Sequence, residues 1–231
     1  MNQPKQKECE LVNGSWYDYF NKVVSPLFDD QIMARYDDLF SLLYGNFFER
    51  NLSQEKGKLL SLGAGFGMSE IPLARKGYKI IGIDNDVRVL ELLAENSRKY
   101  ANGNLEARFG DLYRDFDKEF INQGIQACIS FGVLEHFKRK DLDEIIRKQF
   151  QISPLMICMM PIDTPATLKA FKAEQKPEGH IDDYGIFRNF WPVEFWEKEV
   201  LGKYCIIDKC FPTNHVSWGQ VDMVTFAVRN D

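Results

Sequence analysis

From position 58 onward the chain alternates short apolar runs with stretches whose apolar residues recur every three or four positions. That rhythm belongs to strands alternating with helices around a parallel sheet. It predicts strands at 58–62, 79–84, 105–109, 127–131, 155–160, 204–209 and 223–228, and helices at 68–76, 87–100, 141–150 and 192–200. Gly77 and Asn102-Gly103 are placed to end the first two helices, since both supply left-handed backbone after a last turn. The last two strands lie too close for a crossover helix, so a hairpin is expected there, with the final strand antiparallel to the rest. The loop at 211–220 then returns to the rim of the sheet where such folds bind ligands.

Ahead of this pattern, residues 1–14 are polar and aperiodic, as in a frayed terminus. Ile32, Tyr36, Phe40, Leu43 and Phe47 then recur at helical spacing behind the cap-like pair Asp29-Asp30. Two helices joined near Pro26 are expected between Trp16 and Phe48, packed on the edge of the main domain or closing over a ligand. The expected organisation is a helical extension at 1–55 and a Rossmann-like α/β domain at 56–231: a seven-stranded, mostly parallel sheet with helices on both faces. A substrate-recognising insert is expected at about 163–190.

Composition narrows the partners. A net charge of −5 argues against the basic face that broad nucleic-acid binding needs, and favours a small-molecule ligand. No apolar run follows the first lysines, and the run at 155–160 is too short to cross a bilayer. With Cys128 and Cys158 inside apolar runs, a cytoplasmic protein with reduced cysteines is expected, as monomer or homodimer. No metal-binding spacing of His or Cys occurs, so no metal site is predicted.

The chemistry starts at Gly63-Ala64-Gly65-Phe66-Gly67, a glycine turn between a strand and a helix, where backbone can approach a ligand closely. A dinucleotide fingerprint would place its third glycine at position 68, which is Met68. The next strand ends in Asp84, 21 residues after Gly63, positioned to accept from ribose hydroxyls or to cap the helix that follows. Gly110-Asp111-Leu112 closes the third strand, and the fourth runs into Ser130-Phe131-Gly132-Val133-Leu134-Glu135-His136-Phe137. This ordered set resembles the class I S-adenosylmethionine (SAM)-dependent methyltransferases, and the last segment resembles small-molecule methyltransferases of the ubiquinone-biosynthesis type.

The resemblance implies that Gly63, Ala64, Gly65 and Gly67 wrap the methionine part of SAM, that Asp84 takes the ribose and that Asn85 lies by the adenine. Asp111 and Leu112 would read the adenine, and Ser130 and Phe131 would face the methionine moiety. Ser61 stands where the family usually has an acid, so its contact with the cofactor amino group is the irregular member of the set. The implied activity is transfer of a methyl group to an N, O, S or C nucleophile of a small, aromatic or partly apolar acceptor, releasing S-adenosylhomocysteine. The rival readings are an NAD-dependent oxidoreductase, favoured by the glycine turn and Asp84, and a SAM-binding regulatory module without turnover.

On the acceptor side, the predicted topology puts all three histidines, His136, His180 and His215, on loops at the carboxyl rim of the sheet. His is the residue whose free pKa suits a general base near neutral pH. His180 leads, within Glu178-Gly179-His180-Ile181-Asp182-Asp183-Tyr184; His136 and Asp183 are the other catalytic candidates. Tyr184, His215 and Trp191 are the candidate substrate contacts, and solvated or core roles compete for each.

Overall fold

A computed structural model describes residues 16–114, 116–173, 179–182, 185–212 and 221–230. Seven strands form one sheet: β1 (Lys58–Leu62), β2 (Lys79–Asp84), β3 (Leu105–Phe109), β4 (Ile125–Phe131), β5 (Leu155–Pro161), β8 (Cys205–Cys210) and β9 (Met223–Arg229). Their order is β3-β2-β1-β4-β5-β9-β8. The first five pair in parallel, and β9 runs antiparallel between β5 and β8. The expected Rossmann-like sheet with one reversed final strand is therefore observed. A small hairpin of β6 (His180–Ile181) and β7 (Phe187–Arg188), not predicted from the pattern, stands apart from it.

The strand order reverses between β1 and β4, since β2 and β4 flank β1 on opposite sides, and this switch point opens a crevice beyond the carboxyl ends of the strands. Helices cover both faces. On one, α5 (Glu70–Arg75) and α6 (Val87–Tyr100) share a core with the N-terminal helices α2 (Asp30–Ala34), α3 (Tyr36–Tyr44) and α4 (Phe47–Asn51). On the other, α7 (Asp117–Phe120), α8 (Arg139–Ile152) and α10 (Val193–Phe195) pack against Leu60, Leu62, Cys128, Met156 and Cys158.

Local physics explains why these segments take these shapes. In α6 the Asp86 side chain accepts the Arg88 amide, Val89, Leu93, Ser97 and Tyr100 line its buried face, and Asn102 and Gly103 follow with φ of 53° and 74°. Asp29 likewise caps α2 through the Gln31 and Ile32 amides. The N-terminal segment is more broken than its apolar stripe predicts. The helix α1 (Trp16–Tyr19) passes into a wide turn at Phe20–Val24 and a tight one at Ser25–Leu27, and Gly45, at φ 53°, separates α3 from α4. Tyr36, Phe40, Tyr44, Phe47 and Phe48 are all buried there, each worth about 1.5–3 kcal/mol of apolar transfer. That anchoring holds the preceding aromatic turn of α1 near the crevice. Among the described residues no helix is long and apolar enough to cross a membrane.

Candidate cofactor and acceptor site

Two adjoining clefts open at the crevice. The first, about 800 Å³ with its open mouth, is lined by Asp84, Asn85, Asp111, Leu112 and Tyr113 on one side and by His136, Phe137, Ile186 and Phe187 on another. The second, about 570 Å³, runs along the glycine turn past Gly63, Ala64, Gly65, Phe66, Ser69 and Glu70 to Phe131 and Arg188. Trp16, Phe20, Gly63, Gly132 and His136 line both, so the two are parts of one elongated site.

The glycines do different work. Gly63 and Gly65 have φ of 60° and 54°, and added Cβ atoms would come within 3.0 Å of Val133 and 2.6 Å of the Phe20 ring. Both positions face the clefts and need bare backbone. Gly67, at φ 83°, lines neither cleft. A Cβ there would fall 2.7 Å from Leu93 and 3.1 Å from Leu105, so this glycine serves the packing of α6 against the sheet. Gly67, an expected cofactor contact, thus has a packing role and lines neither of these two clefts.

Asp84 is the acid best prepared to receive hydroxyl donors. Its two oxygens accept the Gly65 amide at 3.2 Å and the Asp86 amide at 3.1 Å, and each retains acceptor capacity. Burial pushes its pKa up to about 6 despite those amides, so further donors from a ligand would stabilise its ionised form. Asp111 is tied to the Tyr113 amide at 3.0 Å and to Arg114 at 3.2 Å, which fixes its carboxylate at the cleft wall. Asn85 is exposed on the same wall.

Ser61 lies wholly inside, and its hydroxyl donates to Glu70 at 2.6 Å. Glu70, 3% exposed, is pushed up to about 7 by burial. Ser130 is also fully buried, its Oγ without a partner among the described residues. Phe131 lines the second cleft.

Of the histidines, the structure brings only His136 to the clefts among the described residues. Its Nδ1 lies 2.7 Å from the Phe187 carbonyl, which can only accept, so Nδ1 carries the proton. Its Nε2 lies 3.6 Å from Glu135 Oε1, and Trp16 packs edge-on at 4.6 Å. Burial first, and then the Arg188 charge, hold the His136 pKa well below its ordinary value, while burial raises Glu135 to about 7. His180 sits in β6, 6.4 Å from the Phe190 ring, and is not among the residues lining either cleft. Trp191 is 5% exposed and packs on Phe195 and Trp196 at 4.6 and 4.9 Å. Its expected substrate contact is corrected to a core role, since the start of α10 turns the indole toward the sheet. Asp183, Tyr184 and His215 lie outside the described residues, as does most of the 211–220 loop.

Several site residues were not anticipated. Trp16, Phe20, Tyr113, Phe137 and Phe187 carry only aromatic character in the sequence, which does not separate a cleft wall from a core. Arg188 was equally silent; it is 2% exposed, pairs with Asp182 at 2.8 Å and lies between the Tyr19 and Phe171 rings.

A sheet switched between β1 and β4, a glycine turn, and Asp84 and Asp111 at the ends of successive strands form the crevice of a Rossmann-like fold. Residues 59–152 match the family model described as methyltransferase domain. A Pyrococcus horikoshii OT3 protein is similar over 93% of this chain and 99% of its own, with a TM-score of 0.67 at 15% identity. Magnesium protoporphyrin IX methyltransferase from Synechocystis PCC 6803, solved with bound SAH, is similar over 94% of this chain and 96% of its own, with a TM-score of 0.60 at 16% identity. At such identities the likeness concerns the fold. In sequence, 73 residues are 35% identical to the 23S rRNA (uracil(1939)-C(5))-methyltransferase RlmD of Xylella fastidiosa. That stretch is 31% of this chain, and the chain spans 16% of the length of that curated relative.

The residues present fit S-adenosylmethionine, the cofactor that the sequence resemblance implies: bare glycine backbone along one cleft, and a buried carboxylate with acceptor capacity to spare at the start of the other.

Proposed function

We propose that the protein transfers the methyl group of SAM to a nucleophilic atom of a small, aromatic or partly apolar acceptor. The observation that carries this reading is the makeup of the first cleft where it meets the second. Trp16, Phe20 and His136 line both clefts, and Phe137, Ile186 and Phe187 line the first beside them. Such walls exclude water and receive a flat or greasy body, with few polar groups to orient it.

The cofactor supplies an already activated methyl group, so the protein's task is alignment and exclusion of water. Asp84 and the Gly63–Gly65 backbone orient the nucleoside and thioether parts, and Trp16 from α1 and Phe20 from the turn after it close the junction of the clefts over them. In this reading the N-terminal helices are part of the site. Where the acceptor nucleophile carries a proton, His136 is the base: it is held neutral, its tautomer is set by the Phe187 carbonyl, and Nε2 is left to accept. Glu135 Oε1 lies 3.6 Å from that same Nε2. His180 lines neither of these clefts.

The partial match to an rRNA methyltransferase favours a second acceptor class, a nucleic acid. The net charge of −5 and the aromatic cleft favour the small molecule. Calorimetry with SAM, S-adenosylhomocysteine and NADH tests the cofactor: binding of the first two and not the third is expected. S-adenosylhomocysteine release from SAM, measured with a panel of phenols, amines and thiols beside total RNA, tests the acceptor. Turnover confined to RNA would overturn the small-molecule reading.

A further inference from the structure

We propose that Glu70, and not a residue of the glycine-turn strand, is the carboxylate that receives the ammonium group of the cofactor's amino-acid end; this rests on the SAM-binding reading. Four observations carry it. Glu70 is the only acidic residue among the described residues lining the second cleft, which runs along Gly63, Ala64 and Gly65. It is 3% exposed, and it accepts from the Ser61 hydroxyl at 2.6 Å and from the Ser69 and Glu70 backbone amides, none of which carries a charge. No Lys or Arg lies within ion-pair distance of it among the described residues, although a carboxylate in that setting is costly without a cation. Arg188 lines the same cleft and, beside its pair with Asp182, keeps Nη2 without a partner among the described residues, so a carboxylate and a guanidinium border one cavity.

Ser61 now has a reason. A carboxylate on β1 at that position and Glu70 from α5 would compete for the same space and repel each other, whereas a serine hydroxyl donates to Glu70 and aims it. Glu70 lies nine positions along the chain from Ser61, on the far side of the glycine turn. Ser61 is therefore a positioning residue, and Glu70 the binding one.

The test compares ligands with and without the amino-acid end. Wild type, Glu70→Gln and the double variant Ser61→Asp/Glu70→Ala are titrated calorimetrically with S-adenosylhomocysteine, with its analogue in which hydrogen replaces the amine, and with 5′-methylthioadenosine. Glu70→Gln is expected to weaken S-adenosylhomocysteine by roughly ten- to a hundredfold, the range of a charge-assisted hydrogen bond, and to leave 5′-methylthioadenosine unchanged. Removing the amine from the ligand should cost wild type a similar factor and Glu70→Gln almost none. The double variant should recover most of the lost affinity. Equal S-adenosylhomocysteine affinity in wild type and Glu70→Gln, or an equal loss for all three ligands, overturns the proposal. Should Glu70→Gln not fold, the amine-free analogue on wild type decides: affinity equal to that of S-adenosylhomocysteine overturns it. Failure of wild type to bind any of the three would instead refute the SAM reading itself.

Discussion

The Asp84 carboxylate accepts the Gly65 amide at 3.2 Å, joining the end of the second strand to the glycine turn that follows the first. The same oxygen atoms face the first cleft, so the acid both braces the turn and offers itself to a ligand. Asp84→Ala should weaken SAM by about 1.5–3 kcal/mol, the scale for losing charge-assisted hydrogen bonds. Calorimetry checks this, and an unchanged affinity would mean that the ribose lies elsewhere.

Burial raises the pKa of Asp84 to about 6 and of Glu70 and Glu135 to about 7. Raised carboxylates are protonated in the folded state where the unfolded chain is ionised, so each costs stability as pH rises through its window, here about 4 to 7. His136 acts oppositely: its lowered pKa costs stability as pH falls below its ordinary value. A difference measurement isolates one group. Glu70→Gln should gain on ligand-free wild type by up to about 3 kcal/mol between pH 4.5 and 7.5. Urea unfolding at both ends of that range would show it, and parallel pH profiles would contradict the burial of an uncompensated charge.

His136 and His180 separate in kinetics. His136→Ala should lower kcat by roughly 10²–10⁴-fold for an acceptor whose nucleophile must lose a proton, the usual reach of a general base. His180→Ala should stay close to wild type. Cofactor affinity should change little in either, and the reverse ranking would return the base to the β6–β7 hairpin.

Gly67→Ala places a Cβ against Leu93 and Leu105 at a φ of 83°. Strain and overpacking together should cost about 2–4 kcal/mol. Because Gly67 lines neither cleft, SAM affinity measured well below the lowered Tm should be nearly preserved; a selective loss of affinity would give Gly67 back a ligand contact.

Much of this molecule is legible in one dimension. Strand and helix periods, the cap Asp29, and the left-handed stops at Gly77, Asn102 and Gly103 are local properties of the chain, and the structure shows them at or near the expected positions; the cap of α6 is Asp86, two residues after the candidate Asp84. Gly63, Asp84 and Asp111 were equally legible, because a parallel sheet delivers every strand end to one rim whatever the loops do. The site's other half was not. His136 was favoured less than His180, which a nearby aromatic run made conspicuous, and Trp191 read as a pocket wall when it fills the core.

Those outcomes depend on which distant residues meet. The sequence by itself determined the sheet and the order of signals along it, since these rest on short-range spacing and backbone conformation. Only the tertiary structure decided that α1 and the turn after it lay Trp16 and Phe20 across the crevice, that β7 brings Arg188 to the second cleft, and that Glu70 meets Ser61 at 2.6 Å. Burial and pairing are properties of a three-dimensional neighbourhood, and an acid's partner nine positions away is fixed by how a helix packs on a strand, which no local pattern records.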